Sequence, residues 1–262
     1  MAMSVARWPT LLSMGLLLSQ GHAALTRVAN LTARASTSVP RGVVIEHCTV
    51  PGVVALTFDD GPFIYTEHVL DLLDQYDAKA TFFINGENWS RAINDFSTPW
   101  PQILRRMDGA GHQIGSHTWS HADLSTSDAQ VREYQIVELE KALFHVIGKA
   151  PTYLRPPYGS CTDDCLADTE RLGYHVVNFD VDPKDYMHND PDDIGSAMEN
   201  FSRALDERQW GDSFLVLSHD SLRTTAESLV PYMLMEIKQR GYRAVTVGEC
   251  LGDPAENWYW YA

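Results

Sequence analysis

The stretch Val53-Val-Ala-Leu-Thr-Phe-Asp-Asp-Gly61 begins as a run of strand character and ends in two adjacent carboxylates and a glycine. Val53 to Phe58 is near-continuously apolar, as burial on both faces demands, and strands of that kind belong to parallel sheets covered by helices. Similar short runs recur at Ala80 to Ile84, Gln113 to Ser116, Tyr153 to Arg155, His175 to Phe179, Ser213 to Ser218 and Arg243 to Val247. Between them lie Tyr65 to Gln75, Pro101 to Ala110, Ala129 to Ile147, Cys165 to Leu172, Asp193 to Arg208 and Thr225 to Arg240, each long enough for a helix. In the third, Val131, Tyr134, Leu139, Leu143 and Val146 are spaced for an apolar stripe, and Ser127 and Gln130 are placed as a capping box. Strands alternating with helices predict an α/β fold, an irregular (β/α)7-type barrel; an open doubly wound sheet is the alternative, which strand order would decide.

The chain has 262 residues, 44% of them apolar, enough for one large core. Residues 1–23 carry Arg7, an apolar run from Leu11 to Leu18 and the small-x-small pattern Gly21-His22-Ala23. This reads as a secretory signal peptide, because the run is about half the roughly 18 residues a membrane span needs. Residues 24–41 read as an exposed leader and residues 42–262 as one catalytic domain. No apolar tail closes the sequence, so no membrane anchor is expected. A formal charge of −15 argues against nucleic acid and anionic membrane surfaces as partners. Four cysteines suit an oxidising, extracellular setting such as the cell wall or medium. Three pairings are possible; the short spacing of Cys161 and Cys165 favours a local loop, leaving Cys48 and Cys250 to tie the domain's ends, with a zinc-binding set as the competing reading. Asn30, Asn88 and Asn200 each open an N-glycosylation sequon.

In parallel barrels the active site lies at the C-terminal ends of the strands, and the residues just after the expected strands are not random. They are Asp59-Asp60-Gly61, His117-Thr-Trp-Ser-His121, Arg155-Pro-Pro-Tyr158-Gly159, Asp182-Pro-Lys-Asp185-Tyr186 and His219-Asp220. His117 and His121, four apart, would point the same way on a helical turn, as two ligands of one metal must. A carboxylate from the Asp59-Asp60 pair supplies the third ligand, leaving an open position; two imidazoles and a carboxylate suit Zn2+. One carboxylate then binds the cation while its neighbour is free to take a proton from water, and His219, on a separate strand end, can act as the acid.

With Leu217-Ser-His219, these motifs resemble, in order, the five motifs of the polysaccharide deacetylase (NodB-homology, carbohydrate esterase family 4) domain, and Ala80-Thr-Phe-Phe-Ile-Asn-Gly86 looks most like the fungal chitin deacetylases. The resemblance spans roughly Val53 to Val247. It implies the NodB-homology fold, with Asp59 as general base and Asp60, His117 and His121 on a metal, Zn2+ or sometimes Co2+ or another divalent transition metal. It also implies that Arg155 orients Asp59, that the Tyr158 backbone N–H donates to the oxyanion, that Asp185 supports His219 as acid, and that Leu217 and Tyr186 line an acetyl pocket. Tyr186 departs from the family's usual Trp, which bears on the pocket's fit. The implied activity is hydrolysis of N-acetyl groups from chitin or chitooligosaccharides without cutting the chain; the expected protein is secreted and monomeric, with that glycan as its partner.

The rival substrates are peptidoglycan N-acetylglucosamine and acetylated xylan. A non-catalytic carbohydrate-binding protein would need neither the base nor the acid that this sequence keeps. A zinc peptidase would need the glutamate of HExxH, where Thr118 stands. Trp89, Trp119, Trp258, Trp260 and Tyr261 are candidates for stacking on sugar rings.

Overall fold

β2 (Val53–Asp59) is buried along its whole length, and its two faces do different work. Alternate residues of a strand face opposite sides. Val54, Leu56 and Phe58 pack into the large cluster shared with the helices. Val53 and Ala55 join a second cluster with Phe83, Tyr153, Val177, Leu215 and Val245, contributed by the other strands. Thr57 and Asp59 continue that second face upward, and there its lining changes from apolar to polar.

The computed structural model describes residues 39–89, 91–209 and 211–261, which leaves the expected signal peptide, most of the leader and Asn30 outside the described residues. The remaining strands are β1 (Val44–Ile45), β3 (Thr81–Ile84), β4 (Gln113–Ser116), β5 (Lys149–Pro151), β6 (Tyr153–Leu154), β7 (His175–Val177), β8 (Phe214–Val216), β9 (Arg243–Val245) and β10 (Tyr259–Tyr261). Seven of these ten match the expected strands; β1, β5 and β10, two or three residues each, had no readable pattern. The helices are α1 (Thr66–Gln75), α2 (Trp100–Gly109), α3 (Ala129–Ile147), α4 (Asp163–Arg171), α5 (Ile194–Asp206), α6 (Val230–Gln239, entered through a wide turn at Thr225–Leu229) and the short α7 (Val247–Cys250). None of the described helices is long and apolar enough to cross a membrane.

The main sheet runs β1-β7-β6-β4-β3-β2-β8, with β9 on the first half of β2, and all its pairs are parallel. A bridge between Val181, just beyond β7, and Val216 of β8 brings the two edges together. That contact makes the sheet a curled, irregular barrel and removes the open-sheet alternative. Strands of two to four residues give too short a ladder for regular closure, so much of the seam is irregular chain. Val39 is already buried, the Pro40 carbonyl accepts from His175 Nδ1 at 2.8 Å, and Arg41 Nε donates to the Gly173 carbonyl.

α3 departs from the expected stripe. Val131 and Tyr134 are exposed, whereas Arg132, Gln135 and Glu140 are buried beside Ile136, Leu139 and Leu143. Each inward polar side chain has a partner: Arg132 pairs with Asp168 at 2.8 Å, Gln135 holds the backbone N–H of Ser120, and Glu140 accepts from the Tyr174 hydroxyl. The cap is Asp128, which accepts from Val131 N, while the Ser127 hydroxyl turns back to the Asp123 carbonyl, so the capping box does not form.

Both disulfides implied by spacing are present, Cys48–Cys250 and Cys161–Cys165, and no described cysteine is free. They close loops of very different size, 202 and 4 residues of separation. Loop-closure entropy then makes Cys48→Ser/Cys250→Ser lose about 5 kcal/mol against about 2 kcal/mol for Cys161→Ser/Cys165→Ser, read by denaturant unfolding.

Candidate active site

The five polar clusters meet at one end of the barrel. Asp59 closes β2 and is buried; Asp60 follows at φ 74°. His117 follows β4, with its N–H donated to the Ile84 carbonyl at 2.8 Å. The segment from His117 to His121 is not a helical turn. It is an irregular loop with Thr118 at φ 72° and His121 at φ 57°, and this left-handed backbone, rather than i to i+4 spacing, brings the imidazoles together. Non-glycine residues in that region cost free energy and persist only where their surroundings hold them.

Asp60, His117 and His121 place one donor atom each within 4.8 Å of one another. Asp60 Oδ1 lies 3.6 Å from His117 Nε2 and 3.3 Å from His121 Nε2, yet it is buried and has no hydrogen-bond partner. His117 Nδ1 donates to the Arg155 carbonyl at 2.8 Å, which leaves Nε2 as the lone-pair donor. Burial, then the neighbouring His117, lowers the His121 pKa and favours its neutral, ligating form. An unpartnered buried carboxylate oxygen facing two such nitrogens fits a divalent cation, with three protein donors leaving room for more.

Asp59 faces the same space from below. Arg155 Nη1 donates to Asp59 Oδ1 at 2.9 Å and also to Thr57 Oγ1, while Nη2 donates to the Asn178 carbonyl at 2.7 Å. The guanidinium is itself fully buried and lies 4.4 Å from the Phe83 ring centre. Asp59 Oδ2 is left pointing towards His117 Nε2, 3.9 Å away.

On the far side of the site, Asp185 is wholly buried. Its carboxylate accepts from His219 Nδ1 and His219 N, both at 2.8 Å, from Thr225 Oγ1 at 2.8 Å and from Tyr186 N at 2.9 Å. Burial alone would depress the His219 pKa, but the Asp185 charge and hydrogen bond outweigh it, with help from Asp59 and Asp60, and raise it to about 9.

Tyr158 sits at φ 60° in the tight turn Pro157–Gly159 after β6, its exposed ring edge-on to His121 at 4.8 Å. Tyr186 is half exposed, edge-on to His219 at 5.6 Å, with its hydroxyl donated to Asp182 Oδ2 at 3.1 Å. Leu217 is buried on the β8 side. Of the candidate stacking aromatics, Trp89 is exposed and lines a cleft beside Asp60 with Pro62, Asn85 and Asn88. Trp119 is half buried against Gly86, Trp258 donates its Nε1–H to the Asp253 carbonyl, Trp260 is buried, and Tyr261 lies on β10. Asn88 is exposed at that cleft, and Asn200, on α5, donates to the Pro183 carbonyl.

Several residues of this site had no role in the sequence reading. Asp220 was visible only as the neighbour of His219; it is wholly buried and accepts from Thr66 Oγ1, and burial pushes its pKa up to about 7. Thr225 and Asn178 act through contacts 40 and 23 residues away in sequence, which no spacing rule connects.

Comparison with known proteins agrees with this geometry. The family profile described as Polysaccharide deacetylase matches residues 46–177. A chitin deacetylase of Colletotrichum lindemuthianum is 45% identical over 237 residues, 90% of this chain and 94% of that protein. A chitin deacetylase of Pestalotiopsis sp is 49% identical over 222 residues, 85% of this chain and 71% of that protein. The solved structure of the chitin deacetylase from the fungal pathogen Colletotrichum lindemuthianum superposes with a TM-score of 0.81 over 85% of this chain and 97% of that one, at 45% identity.

Gly61 has no room for a side chain, because a Cβ there would lie 2.5 Å from both carboxylate oxygens of Asp220. Gly61→Ala is expected to lose about 2 kcal/mol of stability in thermal or denaturant unfolding, and less in an Asp220→Ala background, where the obstructing group is gone.

Proposed function

Because the chain belongs to the polysaccharide deacetylase family and is a hydrolytic enzyme of it, we propose that it removes N-acetyl groups from N-acetylglucosamine units of chitin or chitooligosaccharides, releasing acetate and leaving the glycan uncut. The observation that carries this is the pairing of a buried Asp59 with the Asp60–His117–His121 donor set on one side and the His219–Asp185 pair on the other. A base, a cation site and an acid around one space are what amide hydrolysis by water requires, and a carbohydrate-binding protein has no use for them.

Asp60, His117 and His121 would hold the cation, with Zn2+ favoured by two imidazoles and one carboxylate and Co2+ the nearest alternative. When bound, a divalent cation supplies positive charge that polarises the acetyl carbonyl and makes water easier to deprotonate. Asp59, oriented by Arg155, takes the proton from the attacking water, whose oxygen adds to the acetyl carbon. The carbonyl oxygen gains the negative charge, and the Tyr158 backbone N–H would donate to it; one such donor is commonly worth about 3 kcal/mol. His219, kept protonated by Asp185, passes its Nε2 proton to the amide nitrogen as the C–N bond breaks, giving acetate and a free amine. Leu217 and Tyr186 would bound the methyl group, with the Tyr186 ring fixed by Asp182 where the family commonly places Trp.

Two disulfides and the expected signal peptide support a secreted protein acting in the cell wall or medium, and the proposal includes a monomer with Asn30, Asn88 and Asn200 as glycosylation sites.

The direct test gives chelated protein, with and without added Zn2+, chitin hexamer, peptidoglycan fragments and acetylated xylan, and measures acetate and product masses. Zn2+-dependent loss of acetyl mass from the hexamer at constant chain length is the expected result. Acetate from only another polymer would move the substrate, and acetate from none would end the enzymatic reading.

A pH profile tests the acid. His219 must be protonated to act, so kcat/KM should hold through neutral pH and fall as pH rises through about 9. Removing the Asp185 charge with Asp185→Asn should draw that alkaline limb down towards the ordinary histidine range near 6.5. The raised pKa also means that His219 protonation stabilises the fold fully below about 6.5 and progressively less as pH climbs through about 9.

A further inference from the structure

The two loops that carry the three cation-site residues both leave regular structure at the same level. The β3–β4 ladder ends at the pair Ile84 and Ser116. Beyond it the chain turns left-handed at Thr118, and on the neighbouring strand at Asp60, so the regular strand ladder gives way to irregular backbone hydrogen bonds. One side chain stands where the ladder stops. Asn85, the first residue past β3, is almost completely buried. Its Nδ2 donates to the His117 carbonyl and to the Thr118 carbonyl at 3.1 Å. Its backbone N–H donates to the Gly61 carbonyl at 3.1 Å, and its Oδ1 accepts from Asn88 Nδ2 at 3.1 Å.

We infer that Asn85 is a positioning residue for the cation site, a clamp that ties the Asp60-bearing turn to the His117–His121 loop and holds both in their strained backbone conformations. The inference rests on reading Asp60, His117 and His121 as cation ligands. The orientation of the amide is dictated chemically: two carbonyl oxygens can only accept, so the group facing them must be the NH2. Asn85 thereby uses both of its side-chain N–H groups on the loop that carries two ligands. His117 is held from two directions, its carbonyl by Asn85 and its imidazole by the Arg155 carbonyl. The neighbouring backbone continues the zip, with Gly86 N donating to the Thr118 carbonyl at 3.3 Å and Glu87 N to the Trp119 carbonyl at 2.7 Å. Trp119 packs closely against Gly86, where a Cβ would come within 1.9 Å of its ring. Outer partners of this kind orient ligands, and losing one commonly costs about 10–100-fold in metal affinity.

Asn85→Asp separates this role from simple electrostatics. It keeps the shape but presents two acceptors to two carbonyls, while adding negative charge to a residue that lines the same cleft as Asp60. Charge alone would tighten cation binding; a broken clamp weakens it. The experiment is Zn2+ competition with a chromogenic chelator on the full-length wild type, Asn85→Asp, Asn85→Ala, Asn88→Ala and His117→Ala, with thermal unfolding of each chelated protein alongside. Expected are a roughly tenfold or greater rise in Zn2+ Kd for both Asn85 variants, and less than about threefold for Asn88→Ala, which leaves both donors in place. Unchanged or tighter Zn2+ binding by a folded Asn85→Asp overturns the clamp, even if its stability falls. Should the aspartate variant not fold, unchanged Zn2+ binding by Asn85→Ala overturns it equally. Wild type that binds Zn2+ no better than His117→Ala would instead sink the cation-site reading itself, a distinguishable result.

Discussion

The ion pair between Asp59 and Arg155 sits inside the barrel, both side chains almost wholly out of water, and the site is organised around it. Taking two charges from water costs several kcal/mol per ion, and the pair persists only with good geometry and further hydrogen bonds. Arg155 has them: Thr57, the Val177 and Asn178 carbonyls, and the face of Phe83. Those partners come from β2, β3 and the chain leaving β7. A guanidinium in this position therefore ties together the strands that the short ladders bind weakly, and the backbone carbonyl of Arg155 accepts from His117 Nδ1. Asp59 and His117 are thus held by the same residue, one through its side chain and one through its backbone.

Strand alternation explains why the pair can be placed there. β2 sends Val54, Leu56 and Phe58 into the layer under the helices and Val53, Ala55, Thr57 and Asp59 into the barrel. One strand thus supplies the packing at its lower end and the chemistry at its upper end. Left-handed residues cluster at that upper end, at Asp60, Thr118, His121 and Tyr158, and each lies on a loop rather than on a strand. Their cost is offset by side chains that cross between loops: Asn85 to the His117 loop, Asp220 to Thr66, and Asp185 to His219 and Thr225. Rigid strands set the direction of each functional group, and these bridges set its last ångström.

Where local pattern carries the physics, the reading of the chain holds. Seven strands and six helices follow from apolar runs and from the polar segments between them, and the five clusters after the strand ends do converge on one rim. The readings that changed share a cause. The apolar spacing predicts Val131 and Tyr134 inward, but Arg132, Gln135 and Glu140 face in because Asp168, Ser120 and Tyr174 stand there with matching groups. The spacing of Ser127 and Gln130 predicts a capping box, but Asp128, one residue on, reaches the free N–H instead. His117 and His121 meet through two left-handed residues, not through a helical turn.

The order of residues is enough to establish the parallel α/β architecture, the disulfide spacing, the polar clusters that follow the strand ends, and the family to which they belong. These follow from periodicity and from short motifs, which are properties of neighbours along the chain. Folding in three dimensions was needed to close the sheet at Val181 and Val216, to carry Arg155 across the barrel to Asp59, to set Asp185 rather than solvent against His219, and to stand Asn85 between the two ligand loops. Each of these joins residues between 32 and 96 positions apart. Hydrogen bonds and ion pairs depend on distance and direction in space, and at such separations along the chain those are set by the packing of the whole barrel.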